Sequence, residues 1–258
     1  MLQAALSSLN PVPNVARELL WESIVQAVAC LIHEAEKRVR LASHDRYADL
    51  DGWWRSKNVS IKKGLKIRVP SEEAISEALI DEIESLRQEI ILGEHPQLSG
   101  LSYIADLQFA VEQPRKKKKG IGKFAKPTDI RIYRVGSESI DLRIEAKVLV
   151  KDAEITNAYL SDRGIKRFSD PTEPYTIHEI GGMLAYTVTE SRSAWADKIG
   201  AAMAASVPPV ESFKHQLDFT AQETLFSRVP YNCSNKQGRK ETIVFHLVLE
   251  FDSDPPGR

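Results

Sequence analysis

The chain has 258 residues, of which 42% are hydrophobic and 28% are charged, and its formal net charge is −1. These values are ordinary for a globular chain in water, and they exclude a polycation that binds nucleic acid through its overall charge. The two cysteines form no CxxC pair, which excludes a cysteine-based zinc site and a disulfide scaffold. No apolar run reaches the roughly 18 residues of a membrane span, so we expect a cytoplasmic protein.

The first part of the chain predicts two helices separated by a weakly patterned loop. Residues 14–41 repeat apolar side chains at helical spacing, and they begin with Asn14, a good helix cap. Residues 42–70 are polar and aromatic, and they predict a loop with one short strand near 65–69. A second amphipathic pattern follows Ser71, which is a favourable N-cap, so a helix should begin there.

Between residues 103 and 150 the hydrophobic period changes from that of a helix to that of a strand. Three segments alternate apolar and polar side chains, namely residues 103–113, 129–135 and 140–150. The last two are close enough in sequence to form a hairpin. Three successive strands after a helix indicate the α/β fold class.

The remaining chain predicts further helices and strands of the same domain. Helical patterns cover residues 153–162, 175–191 and 193–205, and strand patterns cover residues 215–221 and 240–251. No internal repeat or linker divides the chain, so we expect a single domain over residues 1–258. Within it we expect a helical extension at 1–69, a core at 70–251 and a disordered tail at 252–258.

Acidic residues stand in the predicted hairpin where strands usually carry neutral ones. Asp129 opens one strand, and Glu145 and Lys147 project from one face of the next. Two carboxylates that the hairpin brings together repel each other, and partial burial makes that repulsion costly. A divalent cation removes the conflict, because Mg²⁺ prefers oxygen ligands and one or two carboxylates are enough. A lysine beside them can orient water or stabilise charge on phosphate, so the set predicts metal-assisted phosphodiester hydrolysis.

This arrangement resembles the PD-(D/E)xK nuclease superfamily, whose restriction-endonuclease-like core runs helix, three antiparallel strands, helix and strand. The tripeptide PTD at 127–129 corresponds to the PD half of the motif, with Thr128 inserted. The tripeptide EAK at 145–147 corresponds to the (D/E)xK half. The resemblance covers roughly residues 71–190 and implies the same fold for that part of the chain.

The resemblance also implies a role for each residue of the motif. Asp129, Glu145 and the backbone carbonyl of Ala146 are expected to bind Mg²⁺ or Mn²⁺, and Lys147 is expected to position the attacking water. In-line attack would leave a 5′-phosphate and a 3′-hydroxyl on the cleaved strand.

The superfamily often takes another acid from its first core helix, and this chain offers two candidates. At about 100° per residue, Glu72 falls on the apolar face of the helix and Glu73 falls roughly opposite. We therefore expect Glu72 in the site, with Glu73 as the alternative that a change of helix register would select. A glutamate in the first turn is also favoured by the helix dipole alone, so a purely local role for Glu72 stays open.

Two basic segments are expected to bind nucleic-acid phosphates. The segment before Asp129 contains no acid, and its candidate residues are Lys116, Lys117, Lys118, Lys119, Lys123 and Lys126. Lys166 and Arg167, in a predicted turn, form a second candidate group. Such contacts would give salt-sensitive affinity without sequence specificity. A solvated loop that only aids solubility is the alternative.

The expected function is DNA cleavage in restriction or anti-phage defence. The chain carries no nucleotide-binding loop, so it would act with partner proteins, and a homodimer would supply two active sites. The sequence leaves open DNA versus RNA, sequence specificity and endonuclease versus exonuclease action. One alternative is a non-catalytic nucleic-acid-binding or scaffold subunit, and another is an interaction protein built around the N-terminal helix.

Overall fold

The computed structural model confirms the α/β fold class. It describes residues 1–9, 12, 14–42, 57–62, 65–111, 129–134, 140–172, 174–218, 220, 223–231 and 240–251. The α-helices are α1 (Leu2–Ser7), α2 (Val15–Ala42), α3 (Glu72–Ile91) and α4 (Arg192–Ala205). The strands are β1 (Lys57–Lys62), β2 (Leu65–Val69), β3 (Leu107–Ala110), β4 (Ile130–Arg134), β5 (Ile140–Leu149), β6 (Ile180–Thr187), β7 (Ser212–Gln216), β8 (Glu223–Pro230) and β9 (Glu241–Glu250). Shorter 3₁₀ helices lie at Pro96–Leu98, Ile104–Asp106 and Ile165–Ser169, and a π-helical turn lies at Ile155–Tyr159.

The main sheet of the described chain is mixed, with the strand order β3-β4-β5-β6-β9-β8-β7. Strands β3, β4 and β5 are antiparallel neighbours, as are β9, β8 and β7. The central strands β5, β6 and β9 are parallel. Strands β1 and β2 form a separate antiparallel pair. The predicted hairpin is therefore present as β4 and β5, which lie beside the parallel centre of the sheet.

Apolar side chains cover both faces of the sheet. One face packs against α1, α2 and α3 in a cluster that includes Trp21 and Phe245. The other face packs against α4 and the segment between β5 and β6, in a cluster that includes Trp195 and Val244. Because side chains alternate along β9, adjacent residues such as Val244 and Phe245 enter different clusters. Helix α2, predicted as part of an extension, thus contributes to the main core.

Side-chain caps fix the starts of α2 and α3 as the sequence predicts. The Oδ1 atom of Asn14 accepts a hydrogen bond from the Arg17 backbone N–H at 3.1 Å. The Oγ atom of Ser71 accepts one from the Ala74 backbone N–H, also at 3.1 Å. These bonds satisfy donors that the first helical turn leaves without partners.

The prediction of a helix at 175–191 is wrong, because Ile180–Thr187 forms strand β6. All eight residues of β6 are buried, so no alternation of apolar and polar side chains marks it as a strand. The glycine pair permits close packing of this strand. A Cβ atom on Gly181 would lie 2.2 Å from Cε1 of Phe168, and one on Gly182 would lie 2.5 Å from Cζ of Phe245.

Other elements differ from the prediction in extent. Strand β3 begins at Leu107 because a 3₁₀ turn occupies the first part of the predicted strand at 103–113. The predicted helix at 153–162 contains a π-helical turn and irregular backbone. Strand β7 lies at Ser212–Gln216 and ends before most of the predicted strand at 215–221.

Two further strands of the described chain, β1 and β8, were not predicted, and the predicted tail has no structural outcome. Strand β1 has no counterpart in the sequence prediction, and neither has β8, in which a run of four buried residues hides the alternation. The tail predicted as disordered, 252–258, lies outside the described residues. Of the helices that the structure describes, none combines the length and apolarity needed to cross a membrane.

Candidate functional site

The hairpin of β4 and β5 brings Asp129 and Glu145 to the same end of the sheet. Ile130 pairs with Ile144 across the antiparallel strands, so positions 129 and 145 are opposite each other. An Asp129 carboxylate oxygen, Oδ2, accepts a hydrogen bond from the Ala146 backbone N–H at 2.7 Å. This contact fixes Asp129 beside the EAK tripeptide.

Glu145 is buried, with 2% of its side chain exposed, and protein donors hold both of its oxygens. Its Oε1 atom lies 2.8 Å from Nζ of Lys147. Its Oε2 atom accepts hydrogen bonds from the Arg167 guanidinium and the Tyr175 hydroxyl. These donors compensate the burial of the carboxylate, which would otherwise be costly.

The ammonium group of Lys147 contacts Glu72, Glu145 and the backbone carbonyl of Ala146. Its Nζ atom is 3.5 Å from Oε1 of Glu72, and it donates to the Ala146 carbonyl oxygen at 2.5 Å. Burial alone would lower the pKa of Lys147, but the negative charges of Glu72 and Glu145 outweigh burial and raise the pKa. Lys147 is therefore held as an ammonium ion.

Of the two helix acids that the sequence left open, the structure brings Glu72 to the site. Glu72 is the first residue of α3, and its position follows from the cap at Ser71. Its Oε2 atom accepts a hydrogen bond from the Val148 backbone N–H at 3.0 Å. The adjacent Glu73 is exposed. Glu72 thus links the start of α3 to the end of β5.

The carboxyl groups at this site outnumber the cations beside them. Burial raises the pKa of Asp129 to about 7, and the negative charge of Glu145 adds to this rise. Burial likewise raises the pKa of Glu72. The acids Glu72, Asp129 and Glu145 together with Lys147 and Arg167 are called the acidic cluster below. It contains three carboxyl groups and two cations, and an additional cation would relieve the imbalance.

The oxygen donors of the acidic cluster fit the chemistry of Mg²⁺. Asp129, Glu145 and the Ala146 carbonyl form a chain of contacts through the Ala146 N–H and Lys147, and oxygen ligands of this kind suit a hard cation. In the described part of the chain, no three His, Cys, Asp or Glu side chains converge into a ready-made metal site. The proposed ligand set has two carboxylates and one carbonyl, and the existing donors to Glu145 compete with a metal ion.

A cleft of about 570 Å³ opens onto the acidic cluster. It lies between the end of β5, the start of α3 and the segment that follows β5. Glu72, Glu145, Lys147 and Arg167 line it, together with the exposed Arg163. The cleft thus gives Glu145 a route to solvent beside Glu72.

The basic residues predicted to bind phosphate fall into three groups. Lys116, Lys117, Lys118, Lys119, Lys123 and Lys126 lie outside the described residues. Lys166 is largely exposed, and its Nζ atom lies 3.6 Å from Oδ1 of Asp162. Arg167, which was predicted in the same basic pair, has 15% of its side chain exposed and contacts Glu145 in the acidic cluster.

Tyr175 contacts Glu145 in the site, although no sequence pattern predicted this contact. The guanidinium carbon of Arg167 lies 4.5 Å from the centre of the Tyr175 ring. The Phe168 ring packs edge-on against the same Tyr175 ring. Burial, followed by the charge of Glu145, raises the pKa of Tyr175 well above its usual value, so its hydroxyl remains a donor. Its contact with Glu145 spans 30 positions, a distance at which sequence periodicity carries no signal.

Comparison with known proteins supplies no relative. No family model, curated protein or solved structure matches this chain. The function has therefore to be inferred from the chemistry of the acidic cluster and its cleft.

Proposed function

We propose that this chain is a Mg²⁺- or Mn²⁺-dependent nuclease that hydrolyses phosphodiester bonds of DNA. The observation that carries the proposal is that Glu72, Glu145 and Lys147 line one cleft, with Asp129 held beside them by the Ala146 N–H. They come from α3, the entry to β4, and β5. A charged strand face that served only solubility would not gather acids from three elements around a buried glutamate.

The order of the elements supports a restriction-endonuclease-like core within the α/β fold. Helix α3 precedes the antiparallel strands β3, β4 and β5, and β6 then runs parallel to β5. The PD-(D/E)xK superfamily has this order, with a helix before the last strand. At that position the described chain has a π-helical turn and a 3₁₀ helix. Strands β9, β8 and β7 would extend the sheet beyond the shared core.

Each residue of the site has a physical task in this proposal. Asp129, Glu145 and the Ala146 carbonyl would hold a metal ion, which when bound supplies Lewis-acid polarisation of the phosphate and a more acidic water. Lys147 places an ammonium charge where negative charge grows on the phosphate. Glu72 holds Lys147 in place and supports the metal or the attacking water. Because the surrounding acids keep Lys147 protonated, it would position the attacking water and stabilise charge on the phosphate, and it would not act as the base that removes a proton.

DNA is the proposed substrate because of the basic segment before Asp129. The run Lys116–Lys119, with Lys123 and Lys126, leads directly into the site in sequence. Contacts from these lysines would hold the phosphate backbone and weaken as salt rises. We extend the proposal to restriction or anti-phage defence, with partner proteins and a homodimer that cuts both strands.

The test is cleavage of plasmid and single-stranded DNA with Mg²⁺ or Mn²⁺, with EDTA as the metal-free control. We expect Glu145→Gln and Lys147→Ala to lower the rate by about 100-fold or more, because the first weakens the proposed metal site and the second removes the ammonium charge that would stabilise the reacting phosphate. Glu72→Gln should also slow cleavage. Its matched control is Glu73→Gln, which makes the same change at the adjacent, exposed position and should cleave like the wild type.

The alternative function is a non-catalytic DNA-binding or scaffold subunit. One observation favours it: Lys147, Arg167 and Tyr175 already hold Glu145, as they would in a purely structural network. DNA binding without cleavage, together with metal titrations that do not change in Asp129→Asn and Glu145→Gln, would establish this alternative. Thermal melting of every variant shows that a lost activity is not a lost fold.

A further inference from the structure

Two of the residues that hold Glu145, Lys147 and Arg167, also line the cleft that gives Glu145 access to solvent. Arg167 and Tyr175 both donate to Oε2, and Lys147 holds Oε1, so three of the roughly four lone-pair positions of the carboxylate have a protein donor. A divalent cation at the remaining position would share the carboxylate with the Arg167 guanidinium. Repulsion between the two cations then favours displacement of a donor.

Arg167 is the donor best placed to leave. Tyr175 is only 2% exposed and packs against Phe168, so we expect its hydroxyl to stay hydrogen-bonded to Glu145. Lys147 has further partners in Glu72 and the Ala146 carbonyl. Arg167, like Lys147, lines the cleft, and its guanidinium also lies over the Tyr175 ring. Its long stem and five N–H donors allow it to exchange one hydrogen-bond partner for another while it stays in the cleft.

We propose that Arg167 is an exchangeable counter-ion of Glu145, a proposal that rests on the nuclease function proposed above. Without a divalent cation, Arg167 neutralises Glu145 within the cleft. When a divalent cation binds at Glu145, Arg167 turns to a phosphate of the bound nucleic-acid strand, for which a guanidinium is a bidentate partner. Tyr175 keeps its hydrogen bond to Oε2 and so holds Glu145 in place during the exchange.

The charges of the acidic cluster agree with this exchange. Its three carboxylates and two protein cations carry one surplus negative charge when all are ionised. A divalent cation turns the surplus into one positive charge, and one phosphodiester then restores neutrality. Metal and nucleic acid should therefore strengthen each other's binding, and Arg167 should carry much of that coupling.

The test measures Mn²⁺ binding directly, by electron paramagnetic resonance and calorimetry, in the absence of DNA. We expect Arg167→Gln to bind Mn²⁺ about 5-fold or more tightly than the wild type, because the competing cation is gone. Arg163→Gln is the matched control, since Arg163 lines the same cleft but is exposed, and its Mn²⁺ affinity should equal that of the wild type. Arg167→Lys keeps the charge and should stay close to the wild type.

A second measurement follows the other half of the exchange. Fluorescence anisotropy with a labelled oligonucleotide, in the presence of Ca²⁺, should show weaker DNA binding in Arg167→Gln than in the wild type.

Unchanged or weaker Mn²⁺ binding by a folded Arg167→Gln protein would overturn the proposal. Tighter Mn²⁺ binding without any DNA cleavage by the wild type would support the exchange and reject the nuclease, whereas folded proteins that bind no Mn²⁺ would reject both.

Discussion

We expect Asp129 to lower the stability of the folded protein when it is ionised, because its carboxylate is largely buried. Burial, with the charge of Glu145 as the second cause, raises the pKa of Asp129 from 3.8 to about 7. Between these values the folded protein holds a proton that the unfolded chain releases. The free energy of unfolding should therefore fall as pH rises from about 4 to about 7, and the loss should persist at higher pH.

At pH 8 the Asp129→Asn variant should melt at a higher temperature than the wild type. Near pH 4, where Asp129 of the wild type is protonated, the two proteins should melt at the same temperature. The asparagine removes the uncompensated charge and keeps an oxygen that can accept from the Ala146 N–H. Thermal unfolding at a series of pH values measures the effect.

The matched control for this variant is Asp141→Asn, which makes the same change on β5. Burial would raise the pKa of Asp141, but hydrogen bonds and charge from Arg131 and Arg143 outweigh burial and lower it. Asp141→Asn should therefore destabilise the protein at pH 8. If Asp129→Asn were destabilising there too, the charge of Asp129 would be compensated in the fold, contrary to our interpretation.

The residues of the site divide into those that local patterns predict and those that they do not. Asp129, Glu145 and Lys147 followed from strand alternation and a short hairpin, and Glu72 followed from helical periodicity. Arg167 reaches Glu145 across 22 positions, through a segment of irregular backbone. Such a contact depends on how β5 and β6 pack together, which no local period encodes.

At the scale of elements, the absence of a side chain at Gly181 lets the segment between β5 and β6 lie close to the sheet. Gly181→Ala would place a methyl group 2.2 Å from the buried Phe168 ring. We expect a loss of about 1–3 kcal/mol in the free energy of unfolding, because this part of the core is already filled. Since Phe168 packs on Tyr175, which holds Glu145 in place, the variant should also weaken metal binding.

Denaturant unfolding measures the loss, and Gly200→Ala is its control. A Cβ atom on Gly200 in α4 meets nothing within 4 Å, so this change should be neutral or stabilise the helix by up to about 1 kcal/mol. Equal stability of both variants would mean that Phe168 shifts freely and does not hold the segment in place.

Helix α3, with its cap, and the hairpin of β4 and β5 were predicted because buried and partly exposed positions recur along them at a recognisable period. Strand β9 is buried over its eight central residues, yet it was predicted because it is rich in β-branched and aromatic residues. Strand β6 is buried on both faces, and its apolar run was interpreted as a helix because neither period is visible. The failure has a physical origin in the parallel centre of the sheet, where helices and loops cover both sides.

At the scale of the whole molecule, Glu36 joins elements from both sides of the sheet. Its carboxylate in α2 accepts from the Glu250 N–H of β9 at 2.6 Å and from the Arg192 guanidinium of α4 at 2.5 Å. The side chain is only 1% exposed. Burial would raise the pKa of Glu36, but the hydrogen bond from His33 and the charge of Arg192 outweigh burial and lower it.

Glu36→Gln should reduce the free energy of unfolding at pH 7 by about 2 kcal/mol, because it weakens charge-assisted hydrogen bonds in the interior. Because the pKa of Glu36 is lower in the folded protein than the value near 4.5 in the unfolded chain, ionised Glu36 stabilises the fold above about pH 4.5. This stabilisation is lost as the pH falls through the folded pKa. The difference in free energy of unfolding between the wild type and Glu36→Gln should therefore shrink in acid. Urea unfolding at pH 7 and pH 4 measures this. Glu34→Gln, whose partner Lys37 is largely exposed, should change stability by less than about 0.5 kcal/mol. A difference for Glu36→Gln that grew in acid would contradict this view of the ion pair.

The position of β9 also determines when the protein can complete its fold during synthesis. Strand β9 is the last strand of the described chain, yet it lies between β6 and β8 at the centre of the sheet. Until residues 241–250 have left the ribosome, β6 lacks a neighbour on one side and α2 lacks the backbone N–H that Glu36 accepts. The strands that carry the acidic cluster are translated earlier, but they join the complete sheet only once β9 has been made. A nascent chain that already contains the whole acidic cluster would thus lack the support of its complete core, and any DNA-cutting activity would follow the synthesis of β9.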